Sequence, residues 1–95
     1  MMKSFLNIIV FVFVSTTIFA QQENNQVRGG NKRYAKEKFV DAEVSYRKAL
    51  EINNKSFEAN YNLGNALFKQ EKYADALDFY QKAAALQTQD KLKMS

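Results

Sequence analysis

This sequence predicts an all-α protein: two helix-turn-helix repeats stacked as a right-handed α-α superhelix, behind an N-terminal export signal. Three observations carry that prediction. The polar part of the chain matches itself when residue 30 is laid on residue 64, its apolar residues recur at helical rather than strand spacing, and residues 1–20 form a separate apolar segment. Composition sets the limits. With 95 residues the chain holds at most one small domain and no large core. It has no Cys, no His, no Trp and no Pro, with 14 Lys plus Arg against 10 Asp plus Glu. Without an imidazole base, a thiolate or a soft metal ligand, most nucleophilic and zinc chemistry is excluded.

The first element is the segment MMKSFLNIIVFVFVSTTIFA, residues 1–20. One early positive charge, Lys3, precedes an apolar run from Phe5 to Phe19, which ends at Ala20 before the polar QQENNQ. That order of charge, apolar run and small residue is the pattern of a secretory signal cleaved after Ala20. The alternative is a retained membrane anchor. Against it, the run is interrupted by Asn7, Ser15, Thr16 and Thr17, and a spanning helix needs about 20 mainly apolar residues. No Cys follows the cut, so neither lipid attachment through cysteine nor a disulfide is available. Residues 21–22 read as a short polar linker.

The repeats come next. The same offset that places Gly30 on Gly64 places Asn31 on Asn65, Glu37 on Glu71 and Lys38 on Lys72, with no gap. It also superposes Asp41 on Asp75, Ala42 on Ala76, Tyr46 on Tyr80, Lys48 on Lys82 and Ala49 on Ala83. The repeats are assigned to residues 23–56 and 57–90, leaving 91–95 as a tail or the start of a third repeat. In the second repeat Ser56 is the expected N-cap, and Tyr61, Leu63, Gly64, Leu67 and Phe68 fall at helical spacing. KQEK, residues 69–72, gives the turn, and a partner helix is expected from Tyr73 to Leu86 with Ala76, Leu77, Tyr80, Ala83 and Ala84 on one face. The first repeat follows the same plan over Val40 to Ile52. It is expected to close at Asn53 and Asn54 by a left-handed residue.

Gly64 sits inside a helix at a cost of about 1 kcal/mol relative to alanine, which implies a close contact. The expected partner is Ala76, with Gly30 facing Ala42 in the first repeat. Leu63, Leu67, Tyr73 and Tyr80 are expected to fill the space around the crossing.

Leu63, Gly64, Tyr73, Ala76, Tyr80 and Ala83 at these separations, in a 34-residue period, resemble the tetratricopeptide repeat. The sequence departs from that pattern: Asn54 and Thr88 replace its proline, and Glu37 and Glu71 replace its turn glycine. Gly29 and Arg33 also occupy positions that are usually apolar. The signal segment followed by VRGGNKRYAKEKFVDAEVSYRKALEIN is similar to the BatC-type proteins of the Bacteroides aerotolerance operons. That resemblance implies partners among membrane proteins bearing von Willebrand A-type domains, and a place in the periplasm or on the inner membrane facing it.

Stacked hairpins form a curved surface whose inner wall is lined by the first helix of each repeat, a shape suited to a peptide. Arg28, Asn31, Tyr61, Asn62, Asn65 and Lys69 are expected to face it. The asparagine amides can bind a peptide backbone, and Arg28 and Lys69 can attract carboxylates. The carboxylate-clamp pattern of the family is partly present, at Asn31 and Asn62, while Val27 stands where a lysine is expected. The competing reading is that the asparagines follow the general repeat pattern and contact only water, and that Tyr61 packs between repeats.

The function expected is that of an exported, non-enzymatic interaction module binding a protein or peptide partner. A membrane-anchored assembly component is the alternative, and an enzyme is disfavoured by the missing bases. No cofactor, no metal and no nucleic acid is expected. The basic stretch Arg28 to Lys38 reads as a solvated helix surface, and Glu43 with Arg47 and Asp78 with Lys82 as surface pairs four residues apart. Leu77, Tyr80 and Ala84 are expected to form an apolar face that favours self-association, partner binding or poor solubility.

Overall fold

The computed structural model describes the backbone of residues 2–94 and the side chains of residues 18–93. Four helices follow one another: α1 (Met2–Ala35), α2 (Phe39–Ile52), α3 (Phe57–Lys69) and α4 (Tyr73–Met94), with no strand among the described residues. α1 pairs with α2 and α3 with α4, and the two hairpins join chiefly where α2 packs on α3. This is the geometry of a helical-repeat superhelix.

The core lies between the hairpins. Tyr46, Leu63, Leu67, Ala42, Ala66 and Ala76 are buried together, with Tyr34, Leu50, Phe79 and Tyr80 packed against them. A second cluster, Val27, Ala49 and Ala59, lies beside it and shares Leu50. Burying each large member contributes about 1.5–3 kcal/mol, so Leu63 and Leu67 of α3 carry much of the inter-repeat adhesion.

Both hairpin turns are built alike. Lys38 N–H donates to Arg33 O and Glu37 N–H to Tyr34 O, each at 2.9 Å; Lys72 N–H donates to Leu67 O at 3.0 Å and Glu71 N–H to Phe68 O at 2.9 Å. These paired bonds are Schellman closures. They put Glu37 at φ 61° and Glu71 at φ 63°, the left-handed position that glycine occupies without strain. The turn between hairpins is different. Asn53 is extended, at φ −146°, and not left-handed as the sequence suggested. Its side chain accepts from Lys55 N–H and donates to Glu23, so the amide closes the turn and no backbone inversion is needed. Buried Asn60 completes the loop by donating to Asn54 O and Ser56 O. Ser56 caps α3 as expected, accepting from Ala59 N–H at 3.1 Å.

The glycine contact differs from the expectation. A Cβ on Gly64 would lie 2.7 Å from both Cδ1 and Cε1 of Tyr80, and a Cβ on Gly30 would meet the ring of Tyr46. The aromatic ring of the second helix, not Ala76 or Ala42, is what the missing side chain admits. Tyr73 is exposed, against Phe68, and does not fill the crossing. Gly29 likewise leaves space for Arg33, whose Nη1 donates to Ser45 Oγ at 3.0 Å.

Two boundaries also moved. α4 runs past Leu86 to Met94, because QTQDKLKM contains neither glycine nor proline to stop it. α1 is unbroken through residues 21–22. Ile18 to Gln22 are exposed, and the side chains of Phe5 to Thr17, most of the apolar run, lie outside the described residues. Among the described residues no helix is long and apolar enough to cross a membrane. Asp78 and Lys82 are not paired; Lys82 Nζ lies 4.5 Å from the centre of the Phe79 ring.

Candidate functional site

The inner wall is formed by α1 and α3. Asn31 on α1 and Asn62 and Asn65 on α3 line one pocket of about 190 Å³ with Tyr34 and Tyr46. Helical spacing puts Asn62, Asn65 and Lys69 on one stripe of α3, as it does Arg28 and Asn31 on α1.

Hydrogen bonds fix how the amides point. Tyr46 O–H donates to Asn31 Oδ1 at 2.6 Å, and Tyr80 O–H donates to Asn65 Oδ1 at 2.5 Å. The same pair is built once in each repeat. Asn62 Nδ2 also donates to Asn31 Oδ1, at 3.2 Å, tying the two repeats across the groove. These bonds engage the amide oxygens of Asn31 and Asn65, and their NH2 groups are donors of a kind that a carbonyl or carboxylate accepts.

Burial, then the neighbouring Tyr34 and Glu58, push the Tyr46 hydroxyl up to about 12. Tyr80 is raised too, by burial first and then by Tyr61 and Tyr34. Both phenols therefore remain donors at neutral pH. The two sequence-predicted cations, Arg28 and Lys69, are exposed at the sides of this wall, outside the asparagine pocket.

Tyr61 falls elsewhere. It stacks on Phe57 and meets Tyr80 at a ring distance of 5.6 Å, lining a separate cleft of about 340 Å³ with Ala83, Ala84 and Gln87. Tyr61, expected in the groove, is turned away from Asn62 because one residue along a helix is a rotation of about 100°. Tyr46 and Tyr80, which the sequence reading used only as packing residues, also hold Asn31 and Asn65. Their signal was present: the repeat offset superposes them on each other, as it does Asn31 and Asn65.

No cluster of potential metal ligands occurs among the described residues. Hydrogen-bond donors presented on a shallow wall suit recognition of a peptide.

Two stacked hairpins with an amide-lined inner face define a helical-repeat scaffold. A family model described as TPR repeat matches residues 30–71, and another described as Tetratricopeptide repeat matches residues 57–89. Together they cover more than half of the chain, which belongs to the tetratricopeptide repeat proteins. No curated protein matches it.

Proposed function

We propose that this protein is an exported, non-enzymatic scaffold that holds an extended segment of a partner protein in the groove between α1 and α3. The observation that carries this reading is the repeated tyrosine-to-asparagine bond, which holds Asn31 and Asn65 by their oxygens and leaves their NH2 groups as the donors for a ligand. A peptide backbone offers a carbonyl at every residue, so such donors grip it without reading its side chains, and Arg28 and Lys69 favour segments rich in carboxylates. Export is supported by the order of charge, apolar run and small residue in residues 1–20. Removal of that segment after Ala20 leaves intact the part of α1 that carries Val27, Gly30, Asn31 and Tyr34. The similarity to BatC-type sequences supports a partner among membrane proteins with von Willebrand A-type domains, on the periplasmic side of the envelope.

The test is NMR titration of the protein with extended octapeptides ending in a free carboxylate. The expected result is movement of the side-chain amide signals of Asn31, Asn62 and Asn65, lost in Asn31→Ala and Asn65→Ala at unchanged helicity. No movement of these signals at millimolar peptide overturns the reading. Intact mass of the protein recovered from cells separates a cleaved signal from a retained anchor, the alternative function.

A further inference from the structure

Removal of residues 1–20, as the export reading has it, exposes a new amino terminus, and the residue exposed there is reactive. The cut after Ala20 makes Gln21 the first residue, with Gln22 behind it. A glutamine at an amino terminus holds a nucleophile and an electrophile in one residue: its α-amine can reach Cδ of its own side-chain amide and close a five-membered ring. Inside a chain the same nitrogen is part of a planar peptide bond and does not attack. Holding both groups in one residue replaces an encounter in solution with an intramolecular step, which raises the rate.

The structure leaves this end open to the reaction. Gln21 and Gln22 are both exposed. The fixed part of α1 lies further on, where Glu23 accepts from Asn53 Nδ2 at 3.2 Å and Val27 packs with Ala49 and Ala59. The two glutamines precede that tie. α1 is helical through residues 21–22, so a freed Gln21 becomes the start of a helix. The N–H groups of a first helical turn have no partners within the helix and carry partial positive charge. An ammonium is disfavoured there, which increases the share of the neutral amine, the form that attacks. An α-amine loses its proton at about pH 8, so about a tenth is neutral at pH 7 even without that push.

We propose that Gln21 of the exported chain is closed to pyroglutamate, a modification that rests on the export reading. The α-amino nitrogen bonds to Cδ, the Cδ–Nε2 bond breaks, and Nε2 leaves as ammonia with the proton that the amine gives up. Nothing is oxidised or reduced, and no co-reactant enters. The product carries no terminal charge, so the ammonium is gone from the positive end of α1 and an aminopeptidase finds no free amine. A cut one residue later exposes Gln22 and leads to the same ring. Residues 1–20 contain no glutamine, so an earlier cut does not.

The test is the intact mass of the full chain, expressed with its own residues 1–20 in bacterial cells and measured on freshly isolated protein. The expected species spans residues 21–95 and is lighter than that span by one ammonia. Edman sequencing of it is expected to be blocked until pyroglutamyl aminopeptidase removes one residue. Gln21→Ala is expected to be cut at the same bond, to keep its full mass and to sequence freely. A wild-type chain that begins at Gln21 with its ammonia retained overturns the proposal and leaves export standing, as does a cut that exposes neither glutamine. Retention of residues 1–20 overturns both. An ammonia loss that persists in Gln21→Ala puts the reaction at an internal amide and overturns the proposal as well.

Discussion

Gly30 and Gly64 occupy equivalent positions, yet a methyl group costs more at one than at the other. Tyr46, which a Cβ on Gly30 would strike, is 1% exposed and held on every side; Tyr80, opposite Gly64, has an open flank into which its ring can shift. Alanine gains roughly 1 kcal/mol of helix propensity at either site, and overpacking costs about 1–3 kcal/mol. Gly30→Ala is therefore expected to lose about 2 kcal/mol in urea denaturation and Gly64→Ala no more than about 1. Equal losses would mean that the half-open ring is as rigid as the buried one. Tyr46 also sets an alkaline limit. Its hydroxyl titrates near 12 in the folded protein against 10.0 ordinarily, so the neutral phenol favours the fold below pH 10 and that contribution disappears as pH rises from 10 through 12. Tyr46→Phe is expected to flatten the loss of helicity across this window, measured by circular dichroism.

At the scale of elements, the turns hold the clearest unrelieved strain. Glu37 and Glu71 stand in left-handed backbone conformations that cost a non-glycine residue about 1 kcal/mol. Glycine there relieves the strain while adding some freedom to the unfolded chain, so Glu37→Gly and Glu71→Gly are each expected to raise stability by about 0.5 kcal/mol. Lower stability in either variant would show that the carboxylate has a partner role in the turn. Ser56→Ala removes the cap of α3 and is expected to cost about 1 kcal/mol. Glu43 joins the elements. Arg47 Nε lies 2.9 Å from it, Gln70 Nε2 donates at 3.0 Å, and Lys72 Nζ lies 3.6 Å away, so this carboxylate ties α2 to the turn between α3 and α4. Burial pushes its carboxyl up, but the bonds from Arg47 and Gln70 and the charges of Arg47 and Lys72 outweigh burial and hold it below the ordinary value. A carboxyl lowered on folding stabilises above its unfolded pKa and loses that contribution as pH falls through the folded one. Glu43→Gln is expected to reduce the acid sensitivity of stability below about pH 4.5.

These elements show which features the sequence disclosed. Periodicity gave the hairpins and the Ser56 cap, because spacing and capping are local properties. The same spacing placed Asn31, Asn62 and Asn65 on one wall. The partner of each glycine was not local: Gly64 meets the ring of Tyr80 and Gly30 that of Tyr46, contacts set by how the helices pack and not by spacing along either one. Nor could spacing reveal that Glu43, written as half of a surface pair with Arg47, reaches the next hairpin.

For the whole molecule, stability rests on one inter-repeat interface, since helical repeats gain most of their cooperativity from contacts with neighbours. Here Leu63 and Leu67 are fully buried between the hairpins, while Leu77, Tyr73 and Phe68 on the outer side of repeat 2 remain more than half exposed. Much of the apolar surface that a stacked repeat would use thus faces water. Residues 21–95 alone are accordingly expected to melt below about 70 °C, a modest value for a small domain. Differential scanning calorimetry measures that midpoint, and a sharp transition well above about 70 °C would mean that the single interface built on Leu63 and Leu67 makes the two hairpins self-sufficient.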